Sequence, residues 1–200
     1  MHDSIVLRSL LLPLLVAALG AGCSQEPSDN AVAIADEADA SGATDLPANA
    51  TPPPEIQAWM ERLTVEHAYD PATGFIVAKE TIALPPTLAE GPNLDDAVRQ
   101  AGEDGRLVIA FATADRCAPC QQYKRDALND ARVIARLDDP RILATHVEVD
   151  RAPEMATAHL GSVSIPMTYA LRDGRPVATL RGQRSADELL DWIEQQLESL

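Results

Sequence analysis

Two cysteines at C-x-x-C spacing, Cys117 and Cys120, constrain this chain more than any other feature of its sequence. They follow the apolar run 107–112 and precede the helix-compatible stretch 121–128. A strand that leads into a C-x-x-C at the start of a helix predicts a redox-active pair. A helix N-terminus favours the thiolate, which is the reacting form of cysteine. The second cysteine lies one turn further on, near enough to close a small disulfide ring.

The same spacing also occurs in zinc sites, and two buried cysteines can be inert. A structural zinc site needs four ligands. The third cysteine, Cys23, lies far upstream, and His67, His146 and His159 show no ligand spacing relative to the pair. We therefore favour a redox pair over metal binding or an inert pair, and we expect no cofactor.

A second motif supports the redox interpretation. Ile165 and Pro166 stand at the start of an apolar stretch, about forty-five residues after the cysteines. Proline is sterically allowed at the first residue of a strand. An isolated Ile-Pro pair is weak evidence, because most X-Pro bonds are trans. At this distance from a C-x-x-C, and just before a predicted strand, turn and strand, it becomes strong evidence.

These segments together resemble the thioredoxin superfamily, and within it the periplasmic C-terminal thioredoxin-like domain of the transmembrane electron carrier DsbD. The resemblance covers about half of the chain, from Asn93 to Leu200. Its matching stretches are 107–111, 114–120, 128–133, 147–150, 164–166, 172–174 and Gly182. It implies a thioredoxin-like α/β fold, in which a mixed central sheet carries helices on both faces.

The resemblance also implies how the site works. Cys117 is the expected nucleophile and Cys120 the resolving cysteine of a Cys117–Cys120 redox disulfide. The Ile-Pro bond is expected to be cis and to pack against the cysteines. The residues expected to bind substrate are Arg116, Ile165, Pro166 and Gly182.

Three positions differ from the usual family pattern. Arg116 stands where relatives usually carry Trp, directly before the first cysteine. Phe111 stands where many relatives carry a buried Asp that helps proton transfer to or from the second cysteine. His146 falls at a strand position that often holds a Lys near the pair. His146 is therefore a candidate proton shuttle. The simpler interpretation of this residue is a half-exposed strand histidine without that role.

Residues 1–22 are expected to be a cleaved lipoprotein signal peptide. The apolar run 10–19 is too short to span a bilayer, and the small residues 20–22 lead directly to Cys23. A cysteine after small residues resembles the bacterial lipobox, so we expect lipidation of Cys23, including palmitate. The alternative is an ordinary secretory signal that leaves Cys23 as a free thiol.

The chain between the signal and the thioredoxin-like domain divides into two parts. Residues 23–54 carry six acids and no Lys or Arg, and we expect an acidic, Pro- and Ala-rich disordered tether. Residues 55–92 are predicted to be an N-terminal extension, with a helix over 55–69 and a strand over 75–83. The thioredoxin-like domain then occupies 93–200.

The predicted function is thiol–disulfide exchange in the bacterial periplasm, by a protein that is lipid-anchored to the inner or outer membrane. We favour a reductase of protein disulfides that receives electrons from a transmembrane donor. The alternatives are a disulfide oxidase or isomerase, and a non-enzymatic copper-binding lipoprotein. The net charge of −15 argues against nucleic acid and against anionic lipid, so membrane contact would be through the anchor only. No dimerisation domain is evident, and we expect a monomer.

The lipid anchor can be tested by replacing its cysteine. Wild type expressed in a bacterial host with radiolabelled palmitate should incorporate label, and a Cys23→Ser variant should not. Fractionation should move the variant from the membrane to the soluble periplasm. Equal labelling of both proteins, or of neither, would contradict the prediction.

Overall fold

The computed structural model describes residues 51–199. The signal peptide expected at 1–22, the lipidation expected at Cys23 and most of the tether expected at 23–54 lie outside the described residues. Within 51–199, no helix combines the length and the apolar character needed to cross a bilayer.

Residues 51–199 form seven α-helices and six β-strands. The helices are α1 (Pro54–Met60), α2 (Pro86–Ala89), α3 (Leu94–Asp104), α4 (Ala118–Tyr123), α5 (Ala131–Leu137), α6 (Pro153–Leu160) and α7 (Ala186–Glu198). A π-helical segment, Lys124–Leu128, continues α4. The strands are β1 (His67–Asp70), β2 (Phe75–Ala78), β3 (Leu107–Thr113), β4 (Ile142–Glu148), β5 (Met167–Arg172) and β6 (Arg175–Arg181).

Strand β3 lies at the centre of the main sheet, whose strand order is β4-β3-β5-β6. It pairs in parallel with β4 and antiparallel with β5, and β6 closes the sheet antiparallel to β5. All seven residues of β3 are buried, because successive side chains of a strand point to opposite faces and both faces are covered. Its odd-numbered apolar residues pack against α4, α5 and α7, and its even-numbered ones against α3 and α6. This arrangement confirms the predicted fold class.

Local sequence signals set several element boundaries as predicted. Asn93 caps α3, since its side-chain oxygen accepts a hydrogen bond from the backbone N–H of Asp96. Ser185 and Glu188 form the predicted capping box of α7. Asp173 and Gly174, both with positive φ, make the predicted turn between β5 and β6.

The helix predicted over 55–69 is wrong in its second half. Helix α1 ends at Met60, and the chain then forms β1, which pairs antiparallel with β2. The N–H groups of Thr64 and Val65 donate to the side-chain oxygen of Gln122, at 2.8 and 3.1 Å, so they are not available for helical hydrogen bonds. Long-range contacts therefore override the helical spacing of the apolar residues.

The strand predicted over 75–83 is also shorter than expected, because β2 ends at Ala78. Beyond it, the N–H of Ile82 donates to the side-chain oxygen of Gln121 at 2.7 Å. The carbonyl oxygen of Ala83 accepts a hydrogen bond from the side-chain amide of Asn129 at 2.9 Å. The segment after β2 is thus held by side chains of α4 and its continuation rather than by a strand partner.

The segment 51–92 packs directly on the cysteine motif. Leu63 and Val65 are buried against Ala118, with Ile76 and Ala78 beside them. Ala118 lies between the two cysteines in sequence. Folding of the segment and placement of the motif are therefore coupled.

Gln122 should hold this segment in place, which a substitution can test. It is 5% exposed, and Gln122→Ala would leave the buried N–H of Val65 and the N–H of Thr64 without their acceptor. We expect a loss of about 1–3 kcal/mol in the free energy of unfolding, measured by urea denaturation. Gln57→Ala, at an exposed helical position, is the matched control and should change this value little. Equal effects of the two substitutions would contradict this role of Gln122.

Candidate active site

The two cysteines of the motif form a disulfide at the start of α4, with their Cα atoms 5.1 Å apart. Cys117 is the N-cap residue, and its sulfur accepts a hydrogen bond from the backbone N–H of Cys120 at 3.2 Å. Cys117 is partly exposed, whereas Cys120 is completely buried. Negative charge on sulfur is therefore best stabilised, and most easily reached by a partner, at Cys117.

The loop before β5 faces the same region. The Ile165–Pro166 peptide bond is cis, as expected. The carbonyl oxygen of Pro166 accepts a hydrogen bond from the N–H of Gly182 at 2.9 Å. Gly182 has a φ of 81°, a conformation that residues with a Cβ rarely adopt. Glycine thus allows the turn after β6 to support the proline loop.

One cavity of about 900 Å³ brings the predicted site residues together. Arg116, Cys117, Ile165, Pro166 and Gly182 all line it. Cys120 does not line the cavity, in agreement with its complete burial. Of the two cysteines, Cys117 is therefore the one that a molecule in this cavity can contact.

The turn before Cys117 is supported by an ion-pair cluster. Lys124 is 2% exposed, and its ammonium lies 3.3 Å from a carboxylate oxygen of Asp115 and 3.9 Å from one of Glu148. Asp115 also pairs with Arg151 at 2.7 Å. Two cations thus offset the charge of Asp115, which would otherwise disfavour a thiolate two residues further along the chain.

Two further titratable groups lie beside this cluster. A carboxylate oxygen of Glu148 accepts the N–H of Asp115 at 2.7 Å, and burial raises the pKa of Glu148. His146 contacts the hydroxyl of Thr113 at 2.7 Å. Burial and the nearby charge of Lys124 lower the pKa of His146 to about 4. A base with so low a pKa is poorly suited to shuttle protons near neutral pH.

The position that holds a buried Asp in many thioredoxins is part of the apolar core here. Phe111 is completely buried, and its ring centroid lies 6.4 Å from that of Tyr123. The titratable groups near the motif instead come from the π-helical segment and from the end of β4. Among the described residues, no three His, Cys, Asp or Glu side chains are grouped as a metal ion would require.

The buried polar side chains that support the turn before Cys117 were not predicted from the sequence. Gln121 is completely buried, and its amide nitrogen donates to the carbonyl oxygens of Ala114 and Asp115. Lys124 follows Cys120 by four residues, a spacing that places both on one side of the helix. Two glutamines and a lysine closely follow the C-x-x-C. These polar residues could have indicated a helix face whose side chains form hydrogen bonds inside the protein.

Comparison with known proteins gives three kinds of match. The family model described as a thioredoxin-like domain matches residues 94–197. The thiol:disulfide interchange protein DsbD of Ralstonia nicotianae is 40% identical over 63 residues, which are 32% of this chain and 10% of that protein. The chain thus spans about a tenth of the length of this curated relative.

Solved structures of thioredoxins are also similar. A poplar thioredoxin h is 28% identical, with a TM-score of 0.43, over 53% of this chain and 89% of that one. A thioredoxin from Thermus thermophilus is 25% identical, with a TM-score of 0.45, over 52% of this chain and 84% of that one.

Burial of His146 should make stability depend on pH. The unfolded chain has a histidine pKa of 6.5 and the folded chain about 4, so between these values only the unfolded state binds the proton. His146 should therefore contribute stability that is fully present above pH 6.5 and falls by up to about 3 kcal/mol as the pH drops to 4. Urea denaturation over this range should show a smaller fall for His146→Gln. His67→Gln, which keeps His146, is the control, and identical pH profiles for wild type and His146→Gln would refute the assignment.

Proposed function

The chain belongs to the family of thioredoxin-like domains and is a thiol–disulfide oxidoreductase, and we propose that it reduces protein disulfides in the bacterial periplasm while tethered to a membrane. The observation that carries this proposal is the asymmetry of the cysteines. Cys117 lies at the helix N-terminus, has a backbone donor on its sulfur and lines the cavity, whereas Cys120 is buried behind it.

The proposed reaction has two steps. The thiolate of reduced Cys117 attacks one sulfur of a client disulfide, forms a mixed disulfide and expels the other client sulfur as a thiolate. Cys120, after loss of its proton, then attacks the sulfur of Cys117. This forms the Cys117–Cys120 disulfide and releases the second client thiol. Two electrons pass to the client in total, and the oxidised form shown by the structure is the product.

A further dithiol must reduce the Cys117–Cys120 disulfide before the next cycle. A protein with a thioredoxin-like potential of about −270 mV would not stay reduced in an oxidising compartment without a source of electrons. We propose a transmembrane electron carrier as donor. The match to part of a protein named thiol:disulfide interchange protein DsbD supports thiol–disulfide exchange, and the reducing direction is part of our proposal.

The proposed location rests on the sequence of the first 54 residues. A lipid on Cys23 and the acidic segment 23–54 would hold the domain near the inner or outer membrane while allowing it to reach clients. We propose that the protein works as a monomer. Its reactive cysteine already lies in a cavity lined by the same chain.

Client binding would use the backbone of Ile165, which lines the same cavity as Cys117. No hydrogen bond within residues 51–199 engages its N–H or its C=O. Both groups are therefore free to pair with an extended client segment. Arg116, Pro166 and Gly182 would border that segment.

Trapping with single cysteine variants tests the mechanism. Cys120→Ser should accumulate mixed disulfides at Cys117, because no second thiol is present to resolve them. Cys117→Ser, the matched control, should trap little, because Cys120 is shielded. Both variants are expressed in the native host, and captured proteins are released with reductant and identified by mass spectrometry.

The identity of the trapped proteins shows whether the protein reduces or oxidises its clients. A transmembrane dithiol carrier together with envelope clients would support a reductase, whereas a quinone-linked oxidase would support the reverse reaction. Equal trapping by the two variants would contradict the assignment of Cys117 as nucleophile. No trapping by either variant would contradict the enzymatic function.

A further inference from the structure

The apolar side chains exposed by this protein are concentrated at the active site. Four large hydrophobic residues are exposed among residues 51–199: Trp59 (41%), Phe75 (71%), Val163 (50%) and Val177 (56%). Single exposed hydrophobic side chains are normal, but a cluster of them marks a binding surface. Three of these four line the cavity that contains Cys117, and only Val177 does not.

The apolar residues that line the cavity come from two parts of the chain, which we call its two walls. One wall consists of Ile165 and Val163 from the proline loop of the thioredoxin-like domain. The other consists of Ile56 and Trp59 from α1 and of β2 residues beginning with Phe75. This second wall lies outside residues 94–197, the part of the chain that matches the thioredoxin-like family model. It is therefore a feature added to the domain rather than part of its common core.

The added wall is fixed relative to the reactive cysteine. The N–H of Ala78 donates to the carbonyl oxygen of Arg116 at 2.9 Å, and Val77 forms an antiparallel bridge with Cys117. Trp59 is also held, since the guanidinium of Arg62 lies 4.8 Å from its ring centroid. The apolar side chains thus stand at a defined distance from Cys117 before any client arrives.

The charges that line the cavity do not select for a client of one sign. Asp70 and Asp150 are balanced by Arg116 and Arg181, although the whole chain carries a net charge of −15. The volume, about 900 Å³, is near the upper end of the range for ligand sites. Apolar contact, rather than charge, is therefore the available basis for selectivity.

We propose that α1 and β2 form a client-binding wall that selects extended polypeptide segments with apolar side chains next to the disulfide cysteine. This inference rests on the proposed reductase function, because the client sulfur must reach Cys117 in the same cavity. Aromatic side chains are the residues that most often dominate the energetics of binding surfaces. Trp59 and Phe75 are accordingly the expected determinants of client choice.

The test compares three disulfides with the reduced full-length protein. Two are cyclic peptides of equal length, one with Leu and Phe beside a cysteine and the other with Ser and Asn there. The third is hydroxyethyl disulfide, which is too small to span the cavity. Second-order rate constants for oxidation of the protein are measured by acid quench and mass spectrometry.

Wild type should react about tenfold faster with the apolar peptide than with the polar one. Phe75→Ser and Trp59→Ser should each remove most of this preference, so that the ratio of the two peptide rate constants falls toward one. Val177→Ser is the matched control, because it removes an exposed hydrophobic side chain outside the cavity, with an exposure between those of Trp59 and Phe75, and it should keep the full preference.

Different outcomes of this test would contradict the client-binding wall and the proposed reductase function. Equal rates of wild type with the two peptides would overturn the client-binding wall and leave the reductase function standing. The same would follow if Phe75→Ser or Trp59→Ser slowed all three disulfides equally, since the side chains would then act through the integrity of the site. Failure of wild type to react with hydroxyethyl disulfide would instead overturn the reductase function.

Discussion

Two neighbouring glutamines on the helix after the cysteines join the N-terminal segment to the redox motif. The oxygen of Gln122 accepts the N–H groups of Thr64 and Val65, and the oxygen of Gln121 accepts the N–H of Ile82. Buried backbone donors need acceptors, and here side chains provide them where a strand or helix does not. The amide nitrogen of Gln121 meanwhile holds the turn that leads into Cys117. One pair of side chains therefore joins the N-terminal segment to the turn that leads into the reactive cysteine.

The electrostatics of the site follow from a different element of the same helix. Lys124 is buried among acidic groups at the ends of β3 and β4, and together with Arg151 it offsets the charge of Asp115. Phe111 meanwhile lies in the apolar core, next to Tyr123. Charge near the motif thus comes from the helix and from the ends of two parallel strands, rather than from a carboxylate within β3.

The sequence alone allowed the thioredoxin-like core to be predicted closely, because its signals are local. The apolar run of β3, the cap at Asn93 and the capping box at Ser185 each specify an element without reference to distant residues. The segment 55–92 was predicted less well. Its apolar spacing resembles a helix, and only the acceptor on Gln122, 57 residues from Val65, shows why the chain turns into a hairpin instead. The reactive cysteines could be found from spacing, whereas the second apolar wall of the cavity depends on the position of that hairpin.

The bridge between Val77 and Cys117 has a consequence for how this domain can be divided. Family likeness begins at residue 94, so a boundary drawn there would appear to keep the whole redox unit. It would instead cut through the site, because it removes the strand beside the nucleophile and exposes Ala118, which is buried against Leu63 and Val65. The hairpin and the cysteine motif therefore form one structural unit, and a cut between them would separate two parts of a single surface.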